Sequence, residues 1–196
     1  MSDLRSSERD LFLVRGQVLP RLRRLVLDWV PALALGVSVG LALLLPRLPG
    51  AVLPIREAAG VGVTFASIAM GACIAATVLA VGLPSPERLR RWANLRGSTP
   101  GKSALSDLVF VLVWASLAQT ALIATSVLAM AFGNDLPLAP TGMSIFHAFG
   151  LWLGLFVFFY ALFELVVVVQ TLSQMAVMVI AEEQQLPSGD SAATDE

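Results

Sequence analysis

The sequence predicts an all-α integral membrane protein with four transmembrane helices. Of its 196 residues, 57% are hydrophobic and only 14% are charged, which is more apolar surface than a soluble domain hides. The apolar residues form four long blocks with short connections between them. In the last block, residues 143–181, Glu164 is the one charged side chain. That block would be roughly 58 Å long as a helix, against a hydrocarbon core of ~30 Å, so we predict a span that continues beyond the bilayer.

The chain begins with a basic arm, residues 1–28. Its apolar residues recur at helical spacing, and arginines that include Arg21, Arg23 and Arg24 lie mostly away from them. This pattern is typical of an interfacial amphipathic helix whose arginines lie among anionic headgroups. The start of the chain is polar and lacks a cleavage site, unlike a secretory signal.

The first predicted transmembrane hairpin comprises residues 29–83. Its first span, 29–45, contains Gly36 and Gly40, a G-x-x-x-G pair that lets another helix approach closely. Its second span, 60–83, is rich in Ala and Gly and has small residues four positions apart, so we expect it to be surrounded by protein rather than lipid. The small residues are Ser67 with Gly71 and Ala72 with Ala76.

A basic loop, residues 84–107, connects this hairpin to the next one. Its cations and one tryptophan form a candidate contact surface for an anionic ligand, either lipid headgroups or a nucleic-acid strand. These residues are Arg88, Arg90, Arg91, Trp92, Arg96 and Lys102. The alternative is that they only fix the topology beside lipid. The glycine-rich stretch 97–103 is not a phosphate-binding loop, because three residues rather than four separate its glycines and no strand precedes it.

The second predicted hairpin, residues 108–181, contains a third span, 108–132, and the long last helix. Past position 169 the last helix alternates polar and apolar residues, with an apolar stripe at the 3,4 spacing of a coiled-coil seam. The stripe consists of Leu165, Val168, Leu172, Met175 and Val179. Outside the membrane such a stripe needs a partner, either copies of the same helix in a homo-oligomer, guessed to be a tetramer, or packing inside one subunit. The acidic tail, residues 182–196, is predicted to be disordered.

Glu164 is the one ionisable side chain within a predicted span, apart from positions close to span ends. Intramembrane carboxylates usually face a bundle interior or water, so a ring of Glu164 side chains lining a cation pathway is one interpretation. The alternative places Glu164 near the inner headgroups, since it lies roughly 30 Å along the helix. Gln119, Gln170 and Gln174 are further polar candidates, as contacts between helices or along a pathway.

Catalysis and cofactor binding have no support in the sequence. His147 and Cys73 each stand alone, so neither a metal cluster nor an intrachain disulfide is expected. No nucleophile–base set, paired carboxylates within a span or cofactor motif is present. We therefore predict no enzyme activity, no metal and no cofactor.

The orientation follows from the cations. Of thirteen Lys and Arg residues, six lie in the arm and five in the basic loop. The positive-inside rule places both segments in the cytoplasm, and four spans return the C-terminus to the same side. The Arg- and Ala-rich composition suggests a high-GC bacterium. We therefore predict a multi-pass inner-membrane protein with cytoplasmic N and C termini.

The leading functional hypothesis is a homo-oligomeric, pore-type effector that is gated from the cytoplasm and disrupts the membrane potential. In its four spans, its basic loop at 88–102 and its long last helix at 143–181, the chain resembles the small four-span membrane components of bacterial anti-phage systems. Hailong-type effectors are the first choice and the membrane subunit of Kiwa is the second. The resemblance implies a cytoplasmic partner protein or ligand, a short single-stranded DNA in the Hailong case.

Two other functions are considered. The alternative to a pore is a non-conducting scaffold or sensor that recruits a soluble partner through the basic loop and the last helix. A small transporter is the third hypothesis, and it is weaker because four spans show no inverted repeat.

Overall fold

The computed structural model describes residues 28–47, 52–82, 84–97, 101–133, 136–137 and 144–185. It is mostly helical, and four helices are long and apolar enough to cross a membrane, which supports the predicted membrane protein. The elements are α1 (Trp29–Leu44), a 3-10 turn (Leu45–Arg47), β1 (Val52–Leu53), α2 (Ile55–Gly82), α3 (Pro86–Asn94), α4 (Ala104–Phe132), β2 (Leu136–Pro137) and α5 (Ile145–Gln185).

All four predicted spans are helices, with some differences at their ends. Helix α2 begins at Ile55 and α4 begins at Ala104, each several residues before its predicted start. Helix α5 has 41 residues and continues to Gln185, so the prediction of disorder is wrong for 182–185. Residues 186–196 lie outside the described residues, as does the predicted arm apart from Asp28.

Helix α3 lies inside the segment that was predicted to be a loop, 84–107. The Ser85 hydroxyl accepts a hydrogen bond from the backbone N–H of Arg88 at 3.3 Å, which caps the helix. Pro86 and Glu87 occupy the first turn, where proline needs no hydrogen bond and a negative charge is favourable. These helix-start signals are visible in the sequence, so the prediction of a loop was wrong over α3.

Helices that follow one another in the chain are not always neighbours in the bundle. Helix α2 packs most extensively on α4, α1 packs on α5, and α5 packs on α4 to join the two pairs. The two helices of the segment 29–83, α1 and α2, therefore pack mainly on α5 and α4 and not on each other. At one end of the bundle, β1 pairs with β2 in antiparallel register, and the Arg56 Nε–H donates to the Gly133 carbonyl at 3.1 Å. We call the opposite end, which holds the start of α1, helix α3 and the start of α4, the basic end.

The contact between α2 and α4 uses a stripe of small residues. Gly62 approaches α4 so closely that a Cβ at this position would lie 2.6 Å from Ser126 Oγ. Small side chains let two backbones come together, and the contact gains dispersion energy along its length. The buried positions of α2 are Ala59, Gly62, Ala66, Ala69, Cys73, Ala76 and Ala80.

Most of the small residues that were predicted to mediate close packing lie outside the contacts between the described helices. Gly36 and Gly40 have no atom within 4 Å of a built Cβ, so the G-x-x-x-G pair contacts nothing in the described chain. Ser67, Gly71 and Ala72 are exposed on α2, although Ala76 is buried as expected. The expectation that protein surrounds α2 is not met within the described residues, since its other face exposes large apolar side chains.

Buried side chains form two clusters. The mid-bundle cluster joins α2, α4 and α5 through Ala66, Ala118, Leu122 and Ala161. The basic-end cluster consists of Cys73, Ala76, Ala80, Leu108, Leu112, Ala115 and Val168.

The predicted oligomer seam contributes to the basic-end cluster. Val168 is a member of it, and Leu165, Leu172 and Met175 pack against it. Packing inside one subunit, the alternative to a homo-oligomer, therefore accounts for four of the five seam residues. Val179 is half-buried. The homo-oligomer stays a prediction.

Candidate functional site

A pocket of about 460 Å³ lies at the basic end. It is bounded by the start of α1, by α3 and the turn after it, by the first turns of α4 and by the middle of α5. We call it the Glu164 pocket. Its polar lining consists of Asp28, Arg96, Asp107, Glu164, Thr171 and Gln174.

The start of α1 brings Asp28 to the pocket. The Asp28 carboxylate caps the helix by accepting a hydrogen bond from the Trp29 backbone N–H at 2.8 Å. The Trp29 ring contacts the Phe163 ring with centroids 6.4 Å apart. Because Phe163 precedes Glu164, this contact sets the acidic cap of α1 beside the buried carboxylate of α5.

The turn between α3 and α4 carries Arg96 to the pocket. The Gly97 N–H donates to the Lys102 carbonyl at 2.8 Å, and Arg96 and Ser103 form a single β-bridge. A Cβ at Gly97 would lie 2.7 Å from Asp107 Oδ2, so the turn presses against α4 where a larger residue has no room. The glycine-rich stretch that superficially suggests a phosphate loop therefore contributes to this turn.

Glu164 lies in a polar network inside the subunit. Its side chain is only 7% exposed, and its carboxylate interacts with the Tyr160 hydroxyl and the Trp114 indole. The Trp114 Nε1–H donates to the Tyr160 hydroxyl oxygen at 2.7 Å, which leaves the tyrosine's own hydrogen for Glu164. Asp28 is close enough for its charge to act on Glu164. A carboxylate buried in this way offers little surface to a central pore, and the glutamate ring stays a prediction.

The three glutamines differ in position. Gln119 is fully buried, and its Nε2–H donates to the Ala161 carbonyl at 2.8 Å, a polar contact between α4 and α5. The Gln119 Oε1 atom is buried with no hydrogen-bond partner among the described residues. Gln174 is exposed and lines the pocket, whereas Gln170, also exposed, does not line it.

The Gln119 contact makes a specific prediction. We expect Gln119→Leu to change the unfolding free energy by less than about 1 kcal/mol, because an interhelical hydrogen bond in a membrane protein contributes ~0.6 kcal/mol and the unpaired Oε1 is removed with it. Gln119→Ala should cost roughly 2 kcal/mol or more, because it also leaves a cavity. Thermal unfolding of both variants in one detergent would measure the difference. Equal losses of unfolding free energy in the two variants would show that Gln119 stabilises the protein through its hydrogen bond and not through its side-chain volume.

The described residues of the predicted anionic-ligand surface do not all lie at one place in the structure. Trp92 and Arg96 line the pocket, whereas Arg90 and Arg91 are exposed on α3 outside it. Arg88 and Lys102 are half-buried and have interaction partners of their own. The remaining members of the prediction, Arg21, Arg23 and Arg24, lie outside the described residues.

Sequence reasoning missed four residues of the site: Asp28, Asp107, Trp114 and Tyr160. One signal was available for Tyr160, the single tyrosine of the chain, because it lies one helical turn before Glu164. Asp28 carried the signal of a helix cap immediately before an apolar block. Trp114 carried no such signal, because nothing in its spacing connects α4 to Glu164.

The described residues contain no group of three or more His, Cys, Asp or Glu side chains that could hold a metal ion. Their fold defines the class of protein, a multi-pass membrane protein with four candidate spans. No protein-family model, no curated protein and no solved structure matches this chain. The resemblance to anti-phage effectors stays a prediction that none of these comparisons supports.

Proposed function

We propose that this chain is a membrane effector whose output is controlled by a ligand bound in the Glu164 pocket. The observation that carries the proposal is the convergence of side chains from distant parts of the sequence on one cavity. Asp28, Trp92, Arg96, Glu164 and Gln174 all line it. A concave, mostly apolar site with a few converging polar groups is the usual form of a small-molecule site.

Helix α5 links the pocket to the rest of the bundle. Glu164 and Gln174 lie on the pocket side of α5, whereas Val168 is buried in the basic-end cluster. The same helix packs on both α1 and α4. A ligand that binds one arrangement of these helices better than another would shift the population toward that arrangement. Ligand binding in the pocket would in this way change how α1, α4 and α5 pack on one another.

The proposed output is depolarisation of the membrane by a homo-oligomer. Self-association would use a second stripe of α5, because the predicted seam is largely filled within the subunit. This stripe comprises the exposed apolar residues Val166, Val169, Val177 and Ile180. The alternative output, recruitment of a soluble partner by a non-conducting sensor, would use the same surface. It requires the pocket but no pore.

The proposed location is the bacterial cytoplasmic membrane, with the pocket facing the cytoplasm. Thirteen Lys and Arg residues are distributed so that eleven lie in the arm and the basic loop. Asp28 of the arm and Trp92, Leu95 and Arg96 of the basic loop line one pocket at one end of the bundle. The positive-inside rule applied to that end supports cytoplasmic termini.

The test is membrane potential, followed with a voltage-sensitive dye in bacteria induced to express the full chain. We expect wild type to depolarise the cells and to stop growth. Gln174→Trp, which fills the pocket, should abolish the response. Gln170→Trp is the matched control, because Gln170 is also exposed on α5 but does not line the pocket.

The outcomes separate the two parts of the proposal. Depolarisation by Gln174→Trp at the wild-type level, with equal amounts of protein in the membrane, would rule out control by the pocket. An unchanged potential with wild type would reject the pore output and favour the sensor. Equal loss in both variants would point to damage to α5 rather than to a blocked pocket.

A further inference from the structure

We propose that the Glu164 pocket binds an organic cation with an apolar body, such as an ammonium group on a hydrocarbon or aromatic frame. This inference rests on the proposed function, which makes the pocket a ligand site, and it adds the chemical class of the ligand. The charge, the aromatic walls and the size of the pocket all point to this class.

Acidic side chains outnumber basic ones among the charged residues that line this mostly apolar pocket. Asp28 and Glu164 contribute two carboxylates, and Arg96 contributes one guanidinium. The third acidic residue, Asp107, has an interaction partner of its own. Glu164 is 7% exposed, and among the described residues the charged group that acts on it is Asp28, which has the same sign. A buried carboxylate beside a second carboxylate is costly, and the cost is removed either by a proton or by a positive charge between them. A bound cation supplies that charge.

Three aromatic side chains line the same pocket as the carboxylates. Trp114 is held in place by its hydrogen bond to Tyr160 at 2.7 Å and by stacking on Phe110 with centroids 6.0 Å apart. Trp114, Phe110 and Trp92 all line the pocket. Aromatic faces attract ammonium groups within about 6 Å, and most strongly where water is excluded. Aromatic rings and carboxylates together are the recognition chemistry of an organic ammonium ion.

The size and the remaining walls exclude a bare metal ion. A volume of about 460 Å³ suits a small organic molecule, within the usual range of roughly 300–1,000 Å³. Val30, Leu108, Val111 and Val167 form apolar walls that cannot replace the water shell of a metal ion. These walls favour a cation that carries its own hydrocarbon.

The predicted anionic ligand does not suit the pocket. The carboxylates of Asp28 and Glu164 would repel it, and Arg96 is exposed, so water screens its charge. Arg90 and Arg91 are exposed on α3 and do not line the cavity. An anion bound to these two residues would occupy the outside of α3 and leave the pocket free.

Two sources can supply the ammonium group: a free organic cation, or the amine headgroup of a neighbouring lipid. Both sources present the same ammonium chemistry. Vesicles of different lipid composition distinguish a free cation from a lipid headgroup. Vesicles of phosphatidylglycerol contain no ammonium group, whereas mixed vesicles with phosphatidylethanolamine do.

The test is equilibrium dialysis of the full chain in phosphatidylglycerol vesicles with three labelled probes of one shape. Benzyltrimethylammonium is the cation, neopentylbenzene is its uncharged isostere, and phenylmethanesulfonate is the anion. We expect saturable binding of the cation and at least about tenfold weaker binding of the other two. Glu164→Gln should weaken cation binding about tenfold or more, because one buried charge partner is lost. Glu57→Gln, at the exposed opposite end of α2, is the matched control and should bind like wild type.

A second pair of variants covers a folding defect in Glu164→Gln. Gln174→Trp should abolish cation binding by filling the pocket, and Gln170→Trp should retain it. Competition by phosphatidylethanolamine would identify a lipid headgroup as the occupant, and unchanged binding would identify a free cation. Both results support the proposal.

Several results would overturn it. These are equal binding of the cation and its uncharged isostere, tighter binding of the anion, and wild-type affinity in folded Glu164→Gln. A further one is the absence of saturable cation binding. Anion binding that Gln174→Trp abolishes would reject the cation while keeping the pocket as the control site. Failure of the inference is thus distinguishable from failure of the proposed function.

Discussion

Gly62→Leu is expected to separate α2 from α4 and to lower the midpoint of thermal unfolding by roughly 5–10 °C. A Cβ at this position would lie 2.6 Å from Ser126 Oγ and 4.0 Å from Leu122 Cδ1. A leucine side chain adds three more carbon atoms in the same direction. The two helices have no room for them, because Gly62 and Ser126 are both buried in the contact. Either the backbones move apart along the whole stripe or α4 rotates.

Gly71→Leu is the matched control on the same helix. Gly71 is exposed and has no atom within 4 Å of a built Cβ. Its substitution removes a helical glycine without overpacking, so the midpoint should change by less than about 2 °C. Both variants would be compared by thermal unfolding in the same detergent. Similar losses in the two would mean that the small-residue stripe does not form the α2–α4 contact.

Leu112→Ala is the second prediction with a large expected effect. Leu112 is fully buried in the basic-end cluster, where α2, α4 and α5 meet. Removing a buried leucine side chain costs about 2–5 kcal/mol, because the cluster loses its contacts and keeps a cavity. Leu117→Ala, at a site that is 43% exposed on the same helix, should cost less than about 1 kcal/mol.

Cys73 provides an internal probe for this experiment. It is the single cysteine of the chain, it is fully buried, and it belongs to the same cluster as Leu112. Loosening of the cluster in Leu112→Ala should raise the rate of Cys73 labelling by a maleimide about tenfold or more. The rate in Leu117→Ala should stay near that of wild type. Unchanged labelling in Leu112→Ala, with the protein folded, would contradict the described core.

The Glu164 pocket could be predicted from the sequence only in part. Glu164 was identified as the polar centre because it is the one charge in a long apolar block. Trp92, Arg96 and Gln174 were also named, but as members of separate surfaces. Their meeting in one pocket depends on the turn after α3 and on the position of α4 beside α5, and neither is encoded in a local pattern. Asp107 and Trp114 enter the site for the same reason.

The sequence by itself determined the four apolar helices and the start of α1 at Trp29, and it led to the prediction that both termini lie on one side. Backbone groups in a bilayer must be satisfied within each segment, so length and hydropathy suffice to find a span. The tertiary structure decided which faces and partners those helices use. Gly36 and Gly40 lie on an open face while Gly62 is buried, because a helix that is apolar all round has no stripe to mark its contact side. Which helix faces meet depends on how neighbouring side chains fit together. The same packing placed Glu164 in a pocket inside one subunit.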